Sequence, residues 1–506
     1  MPYKVTYSLN VNNAQAKYIE ETLKECYCLF NEILRKMINT YNYIISSNEY
    51  KKLNNRKEQV KYIKNYLIEI KGGKGNILTK KFSGENNYIS VLATTIGKKY
   101  PYINSSTAQL IACNVSKAWD KKFDNYIKNG KNTKLKFKSI ENPVNSFSLK
   151  KLIGYSFDEN ISTLILKIGK KKIYLPIKMR GTEYDMFVIK SIKDDKLADG
   201  TTIKKEIVRG KIKYYLQISL KDNPYNKGRK LGEGKVGIDP GINTVTSYGN
   251  QVRMDALDDG GLKKLIEELA SIERKMERSR RINNPQNYNE NGTIKNKKEL
   301  TEFNKSKNYI KLQKKRKEIY RKIVAKRKIA ENILANKLLS QGNVFNVEKN
   351  NFAALAKKSK ETTINKKTNK YNSKKRFGKL ISTFASSEFL TILKYKVVFL
   401  GGTYNEINVK IGCTQFDHTD NSFTKHSLNE RIIELSNGNK HTRDAHAAFN
   451  IKHAITDSKE KSPNSFNLKD MENDYDNFCT QEKLEIVKHK NGKQSTNAMG
   501  IHKIAL

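Results

Sequence analysis

Hydrophobic spacing changes its period along this chain, and those changes limit what it can fold into more than any other feature. After a short alternating segment, YKVTYSL, the residues Leu23, Tyr27, Phe30, Leu34, Met37 and Tyr41 recur at steps of three and four. That spacing predicts a long amphipathic helix behind a first strand. INSSTAQLIACNVSKAWDKKFDNYIKNG predicts a second helix, with Ser105 or Ser106 as its cap and Gly130 at its end. From Lys134 to about Asn223 the texture becomes short runs between turn residues: KLKFKS, TLILKI, KIYLPI, FVIKSI and KIKYYLQISL. These read as an antiparallel sheet or barrel.

A Gly/Lys/Asn-rich segment, NPYNKGRKLGEGK, then precedes the strand-like VGIDPGINTVTSYG, which places a domain boundary near Gly232. Beyond it, Leu262 to Gln341 reads as basic helix interrupted by NNPQNYNENGTIKN, a loop between two antiparallel arms. A strand, NVFNVE, and a helix from about Thr383 to Leu400 follow. Between them KKSKETTINKKTNKYNSKKRFGK holds too few apolar residues to bury a core, and reads as mobile or ordered by a partner. No internal repeat is visible, and 506 residues at roughly 150 per domain correspond to about three domains.

Charge narrows the class of partner. Lysine and arginine number 97 against 51 acidic residues, a formal net charge of +46 spread over most of the chain. Such a field favours a polyanion, although an AT-rich genome also enriches Lys, Asn and Ile. No run of about 18 apolar residues appears, and MPYKVTYSLN has no secretory leader pattern, so a soluble, cytoplasmic protein without a membrane partner is expected. Cys26, Cys28, Cys113, Cys413 and Cys479 form no CxxC pair, which argues against a disulfide framework and against a cysteine zinc site.

Three carboxylates carry the chemistry. Asp239 sits on an apolar strand before a Gly-containing bend in GIDPGINTVTS, Glu348 ends the alternating strand of VFNVEKNNF, and Asp444 falls in the first turn of a helix in HTRDAHAAFNIKHAI. Singly, each has an ordinary reading as a turn residue, a strand-end charge or a helix-start Asp. Together they offer the all-oxygen donor set that hard cations such as Mg²⁺ or Mn²⁺ prefer, and two such ions can clamp both oxygens of a cleaving phosphodiester.

GIDPGINTVTS, FNVEKNNF and TRDAHAAFNI resemble the three split segments of the RuvC nuclease domain in the TnpB family, transposon-encoded relatives of the type V CRISPR effectors. STAQLIACNVSKAWDKKF followed by LKFKS is similar to that family's recognition helix and the start of its wedge domain. The resemblance implies an α+β multidomain chain. Its parts would be a β-barrel wedge domain (1–12 and 131–230), an inserted helical recognition domain (13–130) and a ribonuclease-H-like α/β domain (231–411 and 444–456) with a basic helical insertion at about 257–341. A zinc-ribbon-like insertion (412–443) and a C-terminal tail (457–506) complete it. It implies metal-binding catalytic roles for Asp239, Glu348 and Asp444, and a phosphate or orienting contact for Arg443, which matches the Arg of the family's DRD.

Departures from the family pattern matter as well. Thr442 stands where the family often has the first Asp of DRD, and His446 where it often has Asn. The CxxC pairs of the family's ribbon align with CTQFDHTDN and ELSNG, so the ligand positions become approximately Asp417, Asp420, Glu434 and Asn437, and structural zinc is not expected. His418, His426, His441, His446 and His453 cluster nearby, with surface or hydrogen-bonding histidine as the ordinary reading.

The helix YIKLQKKRKEIYRKIVAKRKIAENILANKLL combines an apolar stripe including Ile319, Ile323, Ile329 and Leu334 with a basic face of Lys314, Lys315, Arg316, Arg321, Lys326 and Arg327. A phosphate-tracking arm is one reading and a solvated surface helix the other. Arg280 and Arg281 in SRRINNP, and Lys375 and Arg376 in SKKRFGK, would extend the surface. The resemblance implies as partners a guide RNA derived from a transposon end and double-stranded target DNA, with an RNA-guided endonuclease cutting by two-metal hydrolysis. A compact type V CRISPR effector, or an RNA-guided DNA-binding protein without cleavage, are the alternatives.

Overall fold

The computed structural model describes residues 3–69, 88–139, 143–151, 153–168, 171–221, 223–257, 261–290, 292–296, 298–358, 377–427 and 430–491. They divide into two compact units, Met1–Lys227 and Gly228–Leu506.

In the first unit β1 (Tyr3–Leu9) leads into α1 (Asn13–Ser46), which opens on a capping box. The Asn12 side chain accepts from the Gln15 amide while the Gln15 side chain accepts from the Asn12 amide. Ile19, Leu23, Cys26, Ile33, Leu34 and Met37 form its buried stripe. Three shorter helices, α2 (Asn48–Lys51), α3 (Arg56–Glu69) and α4 (Tyr88–Gly97), precede α5 (Ser105–Asn129). The cap of α5 is Asn104, whose side chain accepts from the Thr107 amide. Ser106 instead donates its hydroxyl to that same Asn104 oxygen, and so buttresses the cap that the sequence assigned to a serine. Gly130 ends the helix at φ 65°, where its lack of a side chain avoids a steric penalty.

The strands β2 (Ser146–Leu149), β3 (Tyr155–Phe157), β4 (Thr163–Ile168), β5 (Lys171–Lys178), β6 (Thr201–Val208) and β7 (Lys211–Leu220) join β1 in one antiparallel sheet, in the order β2-β6-β7-β1-β5-β4-β3. This sheet is open, which corrects the expected barrel. Its outermost strands span only four and three residues, too short for a closing ladder, and one isolated bridge between Lys151 and Tyr155 lies at the seam. FVIKSI is not a strand either, but part of α6 (Glu183–Lys193). The capping box of Thr182 and Asp185 starts that helix, and Val188, Ser191 and Ile192 recur at the helical spacing that six residues alone did not display. KLKFKS belongs to no named strand, because Asn31 supplies the pairing a neighbour would: its side chain bonds both the carbonyl and the amide of Lys138.

The second unit begins with an antiparallel meander, β8 (Lys235–Pro240), β9 (Thr244–Tyr248) and β10 (Val252–Ala256). Two long helices, α7 (Gly261–Ile282) and α8 (Lys307–Leu339), follow and pack together. The loop between them is fastened by two buried asparagines: Asn284 bonds the backbone of Asn304, and Asn287 that of Thr301. Ile319, Ile323 and Leu334 are buried as expected, but Ile329 is 60% exposed. Six residues from Ile323 is well over one and a half turns, which carries it off the stripe.

The chain then adds β11 (Val344–Glu348), α9 (Phe352–Leu355), α10 (Gly378–Phe384), α11 (Ser386–Phe399) and β12 (Thr403–Ile407). The helix expected from about Thr383 to Leu400 is α11, which starts just after Ala385, whose φ of 48° separates it from α10. The basic segment at 359–376, with Lys375 and Arg376, lies outside the described residues. Two small hairpins, β13 (Phe416–Asp417) with β14 (Ser422–Phe423) and β15 (Ile432–Glu434) with β16 (Lys440–Thr442), lead to α12 (Arg443–His453) and α13 (Leu468–Asn491). Sheet order is β10-β9-β8-β11-β12, with β8, β11 and β12 mutually parallel.

The helix α12 lies directly on this sheet. A Cβ at Gly237 on β8 would run into the Ala448 carbonyl and the Lys452 amide. Ala445, Ala447 and Ala448 are fully buried, so small residues on the helix and a glycine on the strand allow backbone-to-backbone approach. Gly237→Ala is therefore expected to destabilise the second unit by about 3 kcal/mol or more, since neither obstacle is a movable side chain. A thermal melt of the variant within a degree or two of the wild type would contradict this packing.

Candidate active site

Strand parity and helix pitch bring the three carboxylates together. Asp239 lies two residues beyond Gly237 and so shares its face, the one covered by α12. Two strand residues advance about 6.6 Å and one helical turn about 5.4 Å, so a step from Gly237 to Asp239 corresponds to one from Ala448 back to Asp444. On the adjacent parallel strand, Asn346 donates to the Ile451, Lys452 and Ala454 carbonyls at the C-terminal end of α12. Glu348, two residues further on, faces the same way. The register pairs Val347 with Ile238, which sets Glu348 and Asp239 at neighbouring strand ends. The Asn350 side chain ties these ends by donating to the Pro240 carbonyl at 3.0 Å.

Electrostatically the group is under tension. Glu348 is 7% exposed, and burial pushes its pKa up to about 7, with Asn350 pulling the other way. Asp239 is raised well above the carboxylate range, first by desolvation, then by Asp444 and Glu348; Arg443 and Arg431 oppose the rise. Both arginines also lie on Asp444, Arg443 at 3.2 Å from Oδ1 and Arg431 at 3.5 Å from Oδ2. Arg443 further donates to the Ser427 carbonyl at 3.2 Å. Among the described residues no three His, Cys, Asp or Glu side chains stand close enough together to hold a metal ion. The three carboxylates thus share an electrostatic environment rather than a coordination sphere.

This tension fixes a pH dependence. A folded-state carboxyl with a raised pKa holds a proton that the unfolded chain has already released, so stability is full in mild acid and declines as pH rises through about 7. Glu348→Gln removes the decline. In metal-free buffer its unfolding free energy is expected to match the wild type near pH 5 and exceed it at pH 8, by on the order of 3 kcal/mol at most. Equal melting curves at pH 8 would show that Glu348 titrates normally.

The ribbon positions are joined by hydrogen bonds. Asp417 accepts from the Ser436 amide at 2.7 Å and Asp420 from the Ser436 hydroxyl at 2.5 Å, which fastens the first hairpin to the turn of the second. Glu434 pairs with Lys440 across its own hairpin, and Asn437 accepts from the Asn439 amide within the turn. Histidines pack behind them. His441 bonds Glu482 at 2.6 Å and Tyr475 at 2.8 Å, and His453 bonds Asp474 at 3.0 Å. His426 lies 3.5 Å from Glu430. Burial lowers His418 to about 4 and holds His446 well below its ordinary value, so both are neutral packing groups.

Sequence reading missed Glu482 and Asp474, which lie in the segment expected as a tail. Glu482 accepts from both the amide and the hydroxyl of Thr442, and so holds the residue that begins α12. Asp474 joins Tyr248, Lys452 and His453. Met471, Phe478 and Ile486 bury α13 against this core. Met471, Asp474, Tyr475, Phe478, Glu482 and Glu485 recur at steps of three and four, a signal obscured because half of the stripe is polar.

The basic residues are placed unequally. Lys314 and Lys326 are exposed on α8. Lys315 pairs with Glu268, Arg316 with Glu273, and Arg321 with Glu318. Arg280 and Arg281 both pair with Glu277 and lie over the rings of Phe303 and Tyr288. Arg327 is buried: it bonds Glu388 at 2.6 Å and the Ser382 and Thr383 carbonyls, so its guanidinium braces α8 against α10 and α11 instead of facing a phosphate.

No protein-family model matches this chain, and no curated protein matches it in sequence. Its fold is similar to that of a Cas12f1–sgRNA–target DNA complex seen by cryo-EM, with TM-score 0.50 and 14% identity over 87% of this chain and 83% of that one. CasPhi-2 (Cas12j) bound to crRNA and phosphorothioate-DNA aligns over 91% and 93% of the two chains, with TM-score 0.34 and 10% identity. No helix among the described residues is long and apolar enough to cross a membrane.

Proposed function

We propose that the protein is an RNA-guided DNA endonuclease of the TnpB type, encoded by an insertion-sequence-type transposon. In this reading the second unit is a ribonuclease-H-like domain that cuts DNA at Asp239, Glu348 and Asp444. The observation that carries it is the convergence of these carboxylates on one face, two at the ends of adjacent parallel strands and one at a helix start. The fold likeness to a Cas12f1 complex supports the architecture and keeps a compact type V CRISPR effector as the second reading.

The donor chemistry suits a divalent metal, although among the described residues the three side chains do not close on a common coordination sphere. All three donors are carboxylate oxygens, burial raises Glu348 and Asp239, the latter helped by its carboxylate neighbours, and guanidinium groups stand as cations beside Asp444. When bound, Mg²⁺ would stabilise charge on the phosphodiester oxygens and acidify a water. The chain's own contribution is to fix the carboxylates on rigid elements. The Asn346 bonds to the end of α12 and the Glu482 bonds to its beginning hold that helix in place over the strands. Arg443 and Arg431, which stand on Asp444, would supply positive charge for a phosphate bound there.

Guide RNA and the heteroduplex would track the basic faces of α7 and α8, where Lys314 and Lys326 stand exposed, and the first unit would read the motif flanking the target. The test is to purify the protein with its RNA and measure Mg²⁺-dependent cleavage of a matched duplex. Asp239→Ala is expected to lower the rate by about 10³-fold or more while RNA still co-purifies. Cleavage that survives the substitution, or a preparation free of RNA, would overturn the reading.

A further inference from the structure

The last described helix, α13, takes hold of α12 at both ends. Asp474 accepts from the Lys452 ammonium at 2.6 Å and lies 3.0 Å from the His453 ring, both in the last turn of α12. Further along α13, Glu482 accepts from the Thr442 amide at 2.8 Å and from the Thr442 hydroxyl at 2.6 Å. Its second oxygen meets His441 Nδ1 at 2.6 Å. The helical rise puts about 12 Å between Asp474 and Glu482 and about 15 Å between Lys452 and Thr442, so the helices run antiparallel with grips at similar separations. Between the grips Phe478 packs on Phe449, with ring centres 4.8 Å apart.

The same helix is moored to the sheet. Asp474 also accepts from the Tyr248 hydroxyl at 2.7 Å, and Tyr248 is the cross-strand partner of Gly237 on β8. Glu485 accepts from the Met254 amide on β10 at 3.1 Å. Thus α13 ties α12 to the sheet that carries Asp239. Thr442 begins α12 without a cap bond of its own, because its hydroxyl goes to Glu482. A self-capped start is fixed relative to its own next turn, whereas this one is fixed by another helix. Asp444 stands two residues on, in the first turn. Glu482, His441 and Thr442 are all buried, and each of their side-chain polar atoms has a partner, Tyr475 completing His441 at 2.8 Å. A satisfied polar network of this kind holds a single arrangement.

We infer that Glu482 is a positioning residue of the nuclease centre: by holding Thr442 it sets where Asp444 stands relative to Asp239 and Glu348. The inference rests on the nuclease reading above and deepens it, since it makes α13 an integral part of that centre rather than a tail. Glu482 acts through its neighbour and not on the reacting atoms, so its loss slows cutting without weakening the hold on the target.

Single-turnover cleavage and target binding, measured side by side on the full chain with its RNA, test this. Glu482→Ala is expected to cut saturating matched duplex roughly ten- to hundred-fold more slowly, the cost of an ångström-scale misplacement, with its Kd for that duplex unchanged. Glu482→Gln keeps an acceptor for both hydrogens of Thr442 and turns its amide to His441, and is expected to restore the rate to within about threefold. Amide hydrogen exchange over 442–446 is expected to quicken in Glu482→Ala and not in Glu482→Gln. Thr442→Val deletes the hydroxyl at nearly constant shape; it is expected to slow cutting about tenfold and decides the matter if Glu482→Ala fails to fold. Leu269→Ala, a core truncation on α7, is expected to lower the melting temperature with the rate retained. Wild-type rates in Glu482→Ala and Thr442→Val, or slowing that Gln does not rescue and Leu269→Ala reproduces, would overturn the positioning role and leave the nuclease standing. Cleavage indifferent to Asp239→Ala would overturn both.

Discussion

The second unit depends on how closely α12 can approach β8. At Gly237 the strand offers backbone alone, and Ala445, Ala447 and Ala448 keep the facing helix narrow. The relation of Asp444 to the two strand carboxylates follows from this contact. If the helix stood one methyl group further off, Asp444 would leave the plane of the strand ends, and the Asn346 bonds to the last carbonyls of α12 would lengthen past usefulness. Dispersion and hydrogen bonding here act as a ruler for charge.

That ruler holds together groups that repel. Burial of Glu348 and the neighbours of Asp239 make the site a place where negative charge is costly, and the fold tolerates it through neutral protonated forms and two arginines. Buried carboxylates with raised pKa values are a poor device for stability.

Much of this was legible in the sequence, for identifiable reasons. Asp239, Glu348 and Asp444 were visible because each ends or begins an apolar run whose period is plain, and the parallel pairing of their strands then adds the third dimension. FVIKSI misled because six residues carry strand and helix periods equally well, and only the Thr182 capping box decides between them. The barrel misled because closure depends on the length of the two outermost strands, which composition does not encode. Arg327 looked like its neighbours on a basic helix, yet Glu331 and Glu388, one turn along and on another helix, draw it inside. The helix α13 was passed over because Asp474 and Glu482 occupy its inner face, where a hydrophobic pattern was sought.

The position of α12 late in the chain has a consequence for timing. Asp239 leaves the ribosome early, but Asp444 follows about 200 residues later, roughly ten to forty seconds at ordinary synthesis rates. The helix α13, which holds Thr442 through Glu482, comes later still. A growing chain can therefore fold its first unit well before the third carboxylate exists. Because its carboxylates are divided between β8, β11 and α12, the group is complete only after residue 444 has been made.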